Sequence, residues 1–161
     1  MKTLILYATK YGATREIAER IAKRINGAEI YDIKTGNIPA FTGYDNIIIG
    51  SSIYAGSIRK EAKEFLTVNA EKLSGKTVGL FISGMSEAQS ENAFNANFPS
   101  VLIENAKIKA VLGGIFDPGK AGMMAKIIMK IVTKQSGYVN NISDDKIDKF
   151  VQNLTSGEPN N

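Results

Sequence analysis

Three short runs of apolar residues constrain the fold of this chain more than any other feature of its sequence. The runs are Leu4-Ile5-Leu6, Ile47-Ile48-Ile49 and Val78-Gly79-Leu80-Phe81-Ile82. A strand that is continuously apolar is buried on both faces, and such strands are typical of a parallel sheet that lies between two layers of helices. The strands predicted from the apolar pattern cover residues 3–8, 28–33, 46–51, 77–83 and 110–116.

Amphipathic segments separate most of these strands. In the first of them, Ile17, Ile21 and Ile25 recur at helical spacing. The segment 34–45 holds two glycines and Pro39, so any helix there is short or missing. The predicted helices cover residues 14–25, 59–69, 91–105, 122–133 and 144–154. Alternating strands and helices with right-handed crossovers predict a single doubly wound α/β domain, a three-layer sandwich over residues 1–154, followed by a frayed tail at 155–161.

The composition excludes several classes of function. The chain has 161 residues, which is the size of one domain, and no apolar run approaches the roughly 18 residues of a membrane-spanning helix. Its first residues are predicted to form a strand rather than a signal peptide, so we expect a cytoplasmic protein. The chain has no cysteine and no histidine, which excludes thiolate catalysis and removes the commonest general base and metal ligand. We therefore assign no catalytic side chain and no metal ligand, and we expect a bound cofactor to carry any chemistry.

The net positive charge lies in one segment. Twenty basic and 16 acidic residues give a net charge of +4. No acidic residue lies between Pro118 and Lys134, but this stretch holds four lysines: Lys120, Lys126, Lys130 and Lys134. Isoleucines and methionines recur at helical spacing between the lysines, and a basic amphipathic helix of this kind binds an anionic membrane surface or an acidic substrate. The pattern nevertheless favours an ordinary outer helix of the sandwich, with its isoleucine and methionine face packed on the sheet.

The turn after the first predicted strand is a candidate anion site, which we call the phosphate loop. It reads Thr9-Lys10-Tyr11-Gly12-Ala13-Thr14 and leads directly into a predicted helix. Unpaired N–H groups at the helix N-terminus, two threonine hydroxyls and a glycine that lets the backbone close tightly are suited to a phosphate. The loop has neither the G-x-G-x-x-G pattern of dinucleotide sites nor the G-x-x-x-x-G-K-[ST] pattern of triphosphate sites. The alternative is a junction without a ligand, in which Thr14 caps the helix.

Two more loops are expected at the same edge of the sheet, because ligands of doubly wound sheets bind beyond the carboxyl ends of the strands. The first, which we call the ring loop, contains Ser51, Ser52, Ile53, Tyr54, Ala55 and Gly56. The second contains Ser83, Gly84 and Met85. A planar ligand could stack on the single aromatic side chain of the ring loop. Alternatively, this tyrosine caps the core and the glycines only turn the chain.

The phosphate loop and the ring loop resemble those of flavodoxins. The flavodoxin phosphate loop is commonly T-x-T-G-x-T, and here Lys10 and Tyr11 replace the middle of that pattern. The sequence Gly50-Ser51-Ser52-Ile53-Tyr54-Ala55-Gly56 resembles the loop that flanks the flavin ring, and the similarity extends from Met1 to about Leu154. Within the family, the chain most resembles the menaquinone-dependent protoporphyrinogen oxidase branch. This narrower resemblance rests on the Gly-Ser-Ser-Ile opening of the ring loop and on the sequence Lys126-Ile127-Ile128-Met129-Lys130-Ile131.

The resemblance implies a flavodoxin-like five-stranded parallel sheet in the order 2-1-3-4-5 and one non-covalently bound FMN. The phosphate would be held by Thr9, Lys10, Tyr11, Gly12, Ala13 and Thr14. One side of the isoalloxazine would be lined by Ser51, Ser52, Ile53, Tyr54, Ala55 and Gly56, with Tyr54 stacking on the ring. The other side or the ring edge would be contacted by Ser83, Gly84 and Met85. Response-regulator receivers share this fold, but they need acidic residues where this chain has Ala8, Thr9 and Ser51, so that class is excluded.

The charges near the ring loop would affect the reduction potential of a bound flavin. The loop contains no acidic residue and continues directly into Arg59 and Lys60. A cation near the ring favours the anionic reduced flavin by about 1–4 kcal/mol, depending on the local dielectric. We therefore expect a reduction potential above that of acidic flavodoxins, unless these two residues are merely solvated in the first turn of a helix.

The resemblance and the neutral ring loop favour an FMN-binding oxidoreductase. It would accept electrons from a reduced organic substrate of the protoporphyrinogen type and pass them to a quinone. The alternatives are a non-enzymatic flavodoxin electron carrier, whose docking surface would normally be acidic, and an NAD(P)H-dependent quinone reductase. The expected partners are FMN and a redox partner or quinone, with an acidic substrate or a peripheral contact to the inner face of the membrane through residues 120–134 as further options. No nucleic-acid partner is expected.

Overall fold

The computed structural model describes residues 1–86, 90–123, 126–127, 130–131, 134 and 137–157. The strands in these ranges are β1 (Thr3–Ala8), β2 (Glu29–Asp32), β3 (Asn46–Tyr54), β4 (Ser57–Ile58), β5 (Thr77–Ser83), β6 (Ala106–Val111), β7 (Ile115–Phe116) and β8 (Val139–Asn140). The helices whose bounds lie in these ranges are α1 (Ala13–Ala22), α2 (Lys60–Ser74), α3 (Ser90–Asn97), α4 (Ser100–Asn105) and α5 (Asp144–Thr155). Two short 3₁₀ turns occupy the segment in which the sequence predicts a short helix or none.

The central sheet is parallel and has the strand order β2-β1-β3-β5-β6. With the two-residue β4 left out of the count, this is the predicted order 2-1-3-4-5, so the predicted doubly wound fold is confirmed. The exception to parallel pairing in this sheet is β4, which turns back and pairs antiparallel with the end of β3. The carboxyl ends of β1, β3 and β5 therefore meet at one edge of the sheet.

The three apolar runs form the centre of the core, as predicted. Because successive side chains of a strand point to opposite faces, each run contributes to both layers. On one face, Ile5, Ile48 and Phe81 pack with α1 and α5, and the other face packs against α2, α3 and α4. Gly50 makes room for the largest of these side chains, because a Cβ atom on Gly50 would lie 1.9 Å from Cζ of Phe81.

Two predictions around the last parallel strand are wrong. The helix predicted over 91–105 is divided into α3 and α4, because Pro99 has no N–H to donate and disfavours helical geometry at Phe98. The strand predicted over 110–116 is instead β6, which begins directly after α4. As an edge strand it carries Lys107 and Lys109 between apolar residues, so it has no continuous apolar run. Residues 112–114 follow without regular secondary structure, and Ile115–Phe116 then form β7, which pairs antiparallel with β8.

The described part of the segment 122–134 also differs from its prediction. Met123, Ile127 and Ile131 follow one another at intervals of four residues, and their exposed fractions are 80%, 48% and 73%. The interpretation in which this face packs on the sheet is therefore wrong for these three side chains. The other apolar residues of the segment lie outside the described residues: Met124, Ile128 and Val132. In the ranges given above, the model contains no helix that is long and apolar enough to cross a membrane.

Candidate functional site

A cavity of about 670 Å³ opens at the edge of the sheet where β1, β3 and β5 end. It is lined by every residue predicted for the site except Gly12, Thr14 and Ser51. A second groove, of about 800 Å³, lies between α2 and the segment that follows β2, and no residue of the three predicted loops lines it. The fold thus brings the phosphate loop, the ring loop and the loop after β5 together around one cavity.

The sequence analysis missed the far wall of this cavity. That wall comes from α3 and from the chain that follows β6, and it includes Ser90, Asn92, Ala93, Ala96, Gly114, Ile115, Phe116, Asp117 and Ala121. No local motif marks these residues, since α3 and the residues after β6 reach the cavity only through the tertiary fold. The cavity therefore extends beyond the three loops that the sequence predicted.

The phosphate loop has the features of an anion site. Gly12 precedes α1 with a φ of 101°, which favours glycine, and its N–H donates to Oγ1 of Thr9 over 2.9 Å. Thr14 is fully buried in the first turn of α1, and its Oγ1 has no hydrogen-bond partner in the described part of the chain. The N–H groups of a first helical turn also lack partners within the helix. Since Gly12 and not Thr14 occupies the cap position, the alternative in which Thr14 caps the helix is wrong.

Lys10 connects the phosphate loop to the ring loop. Its Nζ lies 5.1 Å from the centroid of the Tyr11 ring and 5.4 Å from the centroid of the Tyr54 ring. Both rings are exposed, with 41% of Tyr11 and 39% of Tyr54 accessible to solvent. Cation–π contacts at such distances are worth about 0.5–1 kcal/mol at exposed sites. The two loops therefore share one cation.

The ring loop is a hairpin that a distant side chain holds in place. The backbone turns between β3 and β4 at Ala55 and Gly56, whose φ angles are 48° and 77°. Asn97, on α3, donates from Nδ2 to the Gly56 carbonyl over 2.8 Å and accepts at Oδ1 from the Ile58 N–H over 3.0 Å. Asn97 was not predicted, because its partners lie far from it in the sequence.

Ser51 holds the ring loop in place through two hydrogen bonds of its side chain. It is fully buried, and its Oγ accepts from the Arg59 N–H over 3.0 Å and donates to the Ser52 carbonyl over 3.0 Å. These two bonds use the hydroxyl within the protein. Ser51 therefore orients the loop, whereas Ser52 and Tyr54 face the cavity.

The loop after β5 packs closely on the chain that follows β6. The Gly84 N–H donates to the Gly113 carbonyl over 3.0 Å, and the Gly114 N–H donates to Oδ1 of Asn141 over 2.7 Å. A Cβ atom on Gly114 would lie 3.3 Å from the backbone of Gly84, and one on Gly84 would lie 2.9 Å from Cγ2 of Ile53. Small residues at these positions let three segments of backbone meet beside the cavity.

The two cations that follow the ring loop are partly neutralised. Arg59 lines the cavity, and its Nη2 lies 3.3 Å from Oε1 of Glu61. The pKa of Glu61 is lowered, first by a hydrogen bond from its own backbone N–H and then by the charge of Arg59. The side chain of Lys60 is 84% exposed and its Nζ lies 3.5 Å from Oε1 of Glu64. Lys60 therefore points to solvent, which agrees with the alternative that it is solvated in the first turn of a helix. Among the described residues, the charged side chains that line the cavity are Lys10, Arg59 and Asp117.

Comparisons with known proteins agree with this architecture. The model of the flavodoxin domain family matches residues 4–143. A flavodoxin of Helicobacter pylori is 26% identical over 158 residues, which cover 93% of this chain and 94% of the relative. Protoporphyrinogen IX dehydrogenase [quinone] of Escherichia coli K12 is 24% identical over 147 residues, which cover 85% of this chain and 81% of the relative. The solved structure of the flavodoxin from Streptococcus pneumonia TIGR4 superimposes with a TM-score of 0.61 at 18% identity, covering 96% of this chain and 95% of that one.

Proposed function

The chain belongs to the flavodoxin domain family, and from this premise we propose that it is an FMN-dependent oxidoreductase. The reaction transfers two electrons and two protons from a reduced organic substrate to a quinone, which leaves the oxidised substrate and a quinol. A substrate of the protoporphyrinogen type fits the similarity to a dehydrogenase of that kind. The observation that carries the proposal is the charge of the cavity: its described lining has Lys10, the partly neutralised Arg59 and one carboxylate, that of Asp117.

The residues that line the cavity, together with Thr14 in the adjoining phosphate loop, fit FMN. The buried Thr14 hydroxyl without a partner and the first-turn N–H groups of α1 are donors for a phosphate. Tyr54, on a hairpin held by Asn97, offers an exposed aromatic face to the ring. When bound, the flavin supplies the electron transfer that no side chain of this cysteine-free and histidine-free chain supplies.

The chain's own residues then act on the substrate by placement and charge. The far wall, formed by α3 and by the residues around Phe116, leaves space beside the three loops. Arg59 lines this space with its Nε buried and without a hydrogen-bond partner among the described residues. An acidic substrate would provide that partner, and the apolar part of the far wall, Ile115 and Phe116, would exclude water from the reacting groups.

The overall similarity to the Helicobacter pylori flavodoxin, which spans almost the whole of both chains, favours a second candidate. In this alternative the chain is an electron carrier that shuttles between two proteins. A carrier of this kind docks through an acidic surface, whereas here the longest stretch of sequence without an acidic residue, 118–143, carries four lysines. The charge therefore favours the enzyme.

The test is an anaerobic assay of the FMN-loaded protein with a water-soluble quinone as acceptor. A reduced porphyrinogen is offered as one donor and NADH as another. The proposal predicts saturable quinone reduction with the porphyrinogen, at one quinone for each pair of electrons withdrawn. Turnover with NADH alone would indicate a quinone reductase. Electron exchange with a flavodoxin reductase, without turnover of either small donor, would indicate a carrier.

A quinone dissolved in a bilayer also requires contact with the membrane, and we propose that the segment 120–134 provides it. This stretch has four lysines and no acidic residue, and Met123, Ile127 and Ile131 expose one apolar stripe. Lysines near an anionic surface contribute about 1 kcal/mol each, and the apolar stripe would enter the headgroup region.

Sedimentation with vesicles tests this contact. We expect binding to vesicles that contain anionic lipid, weaker binding to neutral vesicles, and a loss of binding in Ile131→Ser. The matched control is Val68→Ser, since Val68 on α2 is 73% exposed, the same fraction as Ile131. Equal binding of the two variants would show that the stripe does not contact the membrane.

A further inference from the structure

We propose that Lys10 is the residue that sets the reduction potential of the bound flavin, a role that rests on the proposed binding of FMN. The sequence suggested Arg59 or Lys60 for such a cation, because they follow the ring loop directly. In the structure, Lys60 points to solvent and the guanidinium of Arg59 pairs with Glu61. The cation beside Tyr54 comes instead from the phosphate loop.

The charge of Lys10 is not compensated by any residue that the structure describes. Within the described residues, Lys10 forms no ion pair, whereas its ammonium lies between the rings of Tyr11 and Tyr54. The stem of the side chain starts in a turn fixed by the hydrogen bond from the Gly12 N–H to Thr9 Oγ1, and its end reaches the hairpin that Asn97 holds. Both ends of this connection are therefore anchored by the fold.

An uncompensated cation next to the ring loop acts differently on the two redox states. The oxidised isoalloxazine is neutral, and the fully reduced ring is an anion at neutral pH, so a nearby ammonium stabilises the reduced state more. A lysine that bound only the phosphate would act equally on both states, because the phosphate charge does not change on reduction. The ratio of the dissociation constants of oxidised and reduced FMN thus distinguishes a lysine that acts on the ring from one that acts on the phosphate.

The experiment compares Lys10→Met, Lys10→Arg and the control Lys60→Met with the natural chain. Binding of oxidised FMN is titrated by fluorescence quenching, and the midpoint potential of the complex is measured by spectroelectrochemistry. We expect Lys10→Met to weaken binding of reduced FMN about tenfold more than binding of oxidised FMN, which lowers the potential of a two-electron couple by about 30 mV. Lys10→Arg keeps the charge and keeps the potential. Lys60→Met, which removes an equally charged but solvent-facing group, leaves the potential unchanged.

Three results would overturn the proposal. The first is a Lys10→Met complex with the potential of the natural protein, and the second is a loss of FMN affinity that is equal in both redox states, which would assign Lys10 to the phosphate. The third is an equal shift in Lys60→Met, which would show that only the overall charge matters. Because no substrate or quinone is present, these results do not depend on the enzymatic part of the proposed function. A natural chain that fails to bind FMN would count against the proposed function itself.

Discussion

Both edges of the parallel sheet place a lysine over a tyrosine ring, but within the described residues this lysine has a carboxylate partner at the amino edge and none at the carboxyl edge. At the amino edge, Nζ of Lys2 lies 4.7 Å from the Tyr44 ring centroid and 2.6 Å from Oε1 of Glu29. At the carboxyl edge, Lys10 lies over Tyr11 and Tyr54 and forms no ion pair with a described residue. The first arrangement is complete in itself, and the second has charge to offer to a ligand.

The hydrogen bonds of the two edges show the same difference. The Tyr44 hydroxyl donates to Glu29 over 2.8 Å, the Lys2 N–H donates to Asp45 over 2.7 Å, and these bonds tie the starts of β1, β2 and β3 together. At the carboxyl edge, Thr14 Oγ1 and Arg59 Nε are buried without partners among the described residues. A buried polar group without a partner costs about 1–3 kcal/mol, and the ligands proposed above would provide partners for these two atoms. The described polar groups are thus paired with one another at the amino edge, whereas Thr14 Oγ1 and Arg59 Nε are not paired at the carboxyl edge.

We expect the largest loss of stability from removing Asn97, whose hydrogen bonds hold the hairpin at the carboxyl edge. Asn97→Ala leaves the Gly56 carbonyl and the Ile58 N–H without their partner, and we expect the free energy of unfolding to fall by about 3 kcal/mol. FMN affinity should fall as well, because the hairpin that carries Tyr54 loses its support. Urea denaturation monitored by circular dichroism measures the first effect. The control is Asn95→Ala on the exposed side of the same helix, for which we expect less than about 0.5 kcal/mol. Equal losses in the two variants would show that the hairpin supports itself.

The second largest effect is expected on FMN affinity when the buried hydroxyl of Thr14 is removed. Thr14→Val keeps the shape of the side chain and removes the buried hydroxyl that has no described partner. We expect FMN affinity to fall about 30-fold, or about 2 kcal/mol, since a hydrogen bond to a charged phosphate is lost. The stability of the protein without FMN should stay the same or rise by up to about 1 kcal/mol, because an unsatisfied polar group has been removed.

Thr14→Ser is the matched control, because it restores the hydroxyl and removes only a methyl group. It should retain FMN affinity and lose a little stability. Isothermal titration with FMN and thermal unfolding of the free protein measure the two quantities separately. If Thr14→Val lowered stability and left FMN affinity intact, the hydroxyl would belong to the fold and the contrast between the two edges would fail.

The parts of the site that the sequence predicted are local, and the parts that it missed depend on long-range contacts. The phosphate loop lies within six consecutive residues, so its hydroxyls, its glycine and the following helix could be recognised together. Asn97 reaches partners that lie 41 and 39 positions earlier in the chain, and no local pattern shows such a contact. The sequence predicted Arg59 or Lys60 as the cation near the flavin ring, because they follow the ring loop directly. In the structure, the cation over Tyr54 is Lys10, which belongs to the phosphate loop. The fold was predictable because buried parallel strands are marked by their own residues, and the exception was β6, an edge strand with alternating lysines.

The smallest effect is expected at the amino edge, where the contribution of Tyr44 to stability should depend on pH. Burial, followed by the hydrogen bond to the Glu29 carboxylate, raises the pKa of Tyr44 from 10.0 to about 12. In the unfolded chain the same hydroxyl ionises near pH 10, so its contribution to stability is complete below pH 10 and is lost as the pH rises toward 12. Tyr44→Phe should cost about 1 kcal/mol at pH 7, since 35% of the accepting Glu29 side chain is exposed and water can replace the phenol. The difference in unfolding free energy between the natural chain and this variant should shrink between pH 10 and pH 12, while FMN affinity at pH 7 stays unchanged. A difference that did not vary with pH, or a loss of FMN binding, would mean that the amino edge is not the self-contained structural cluster that its bonds indicate.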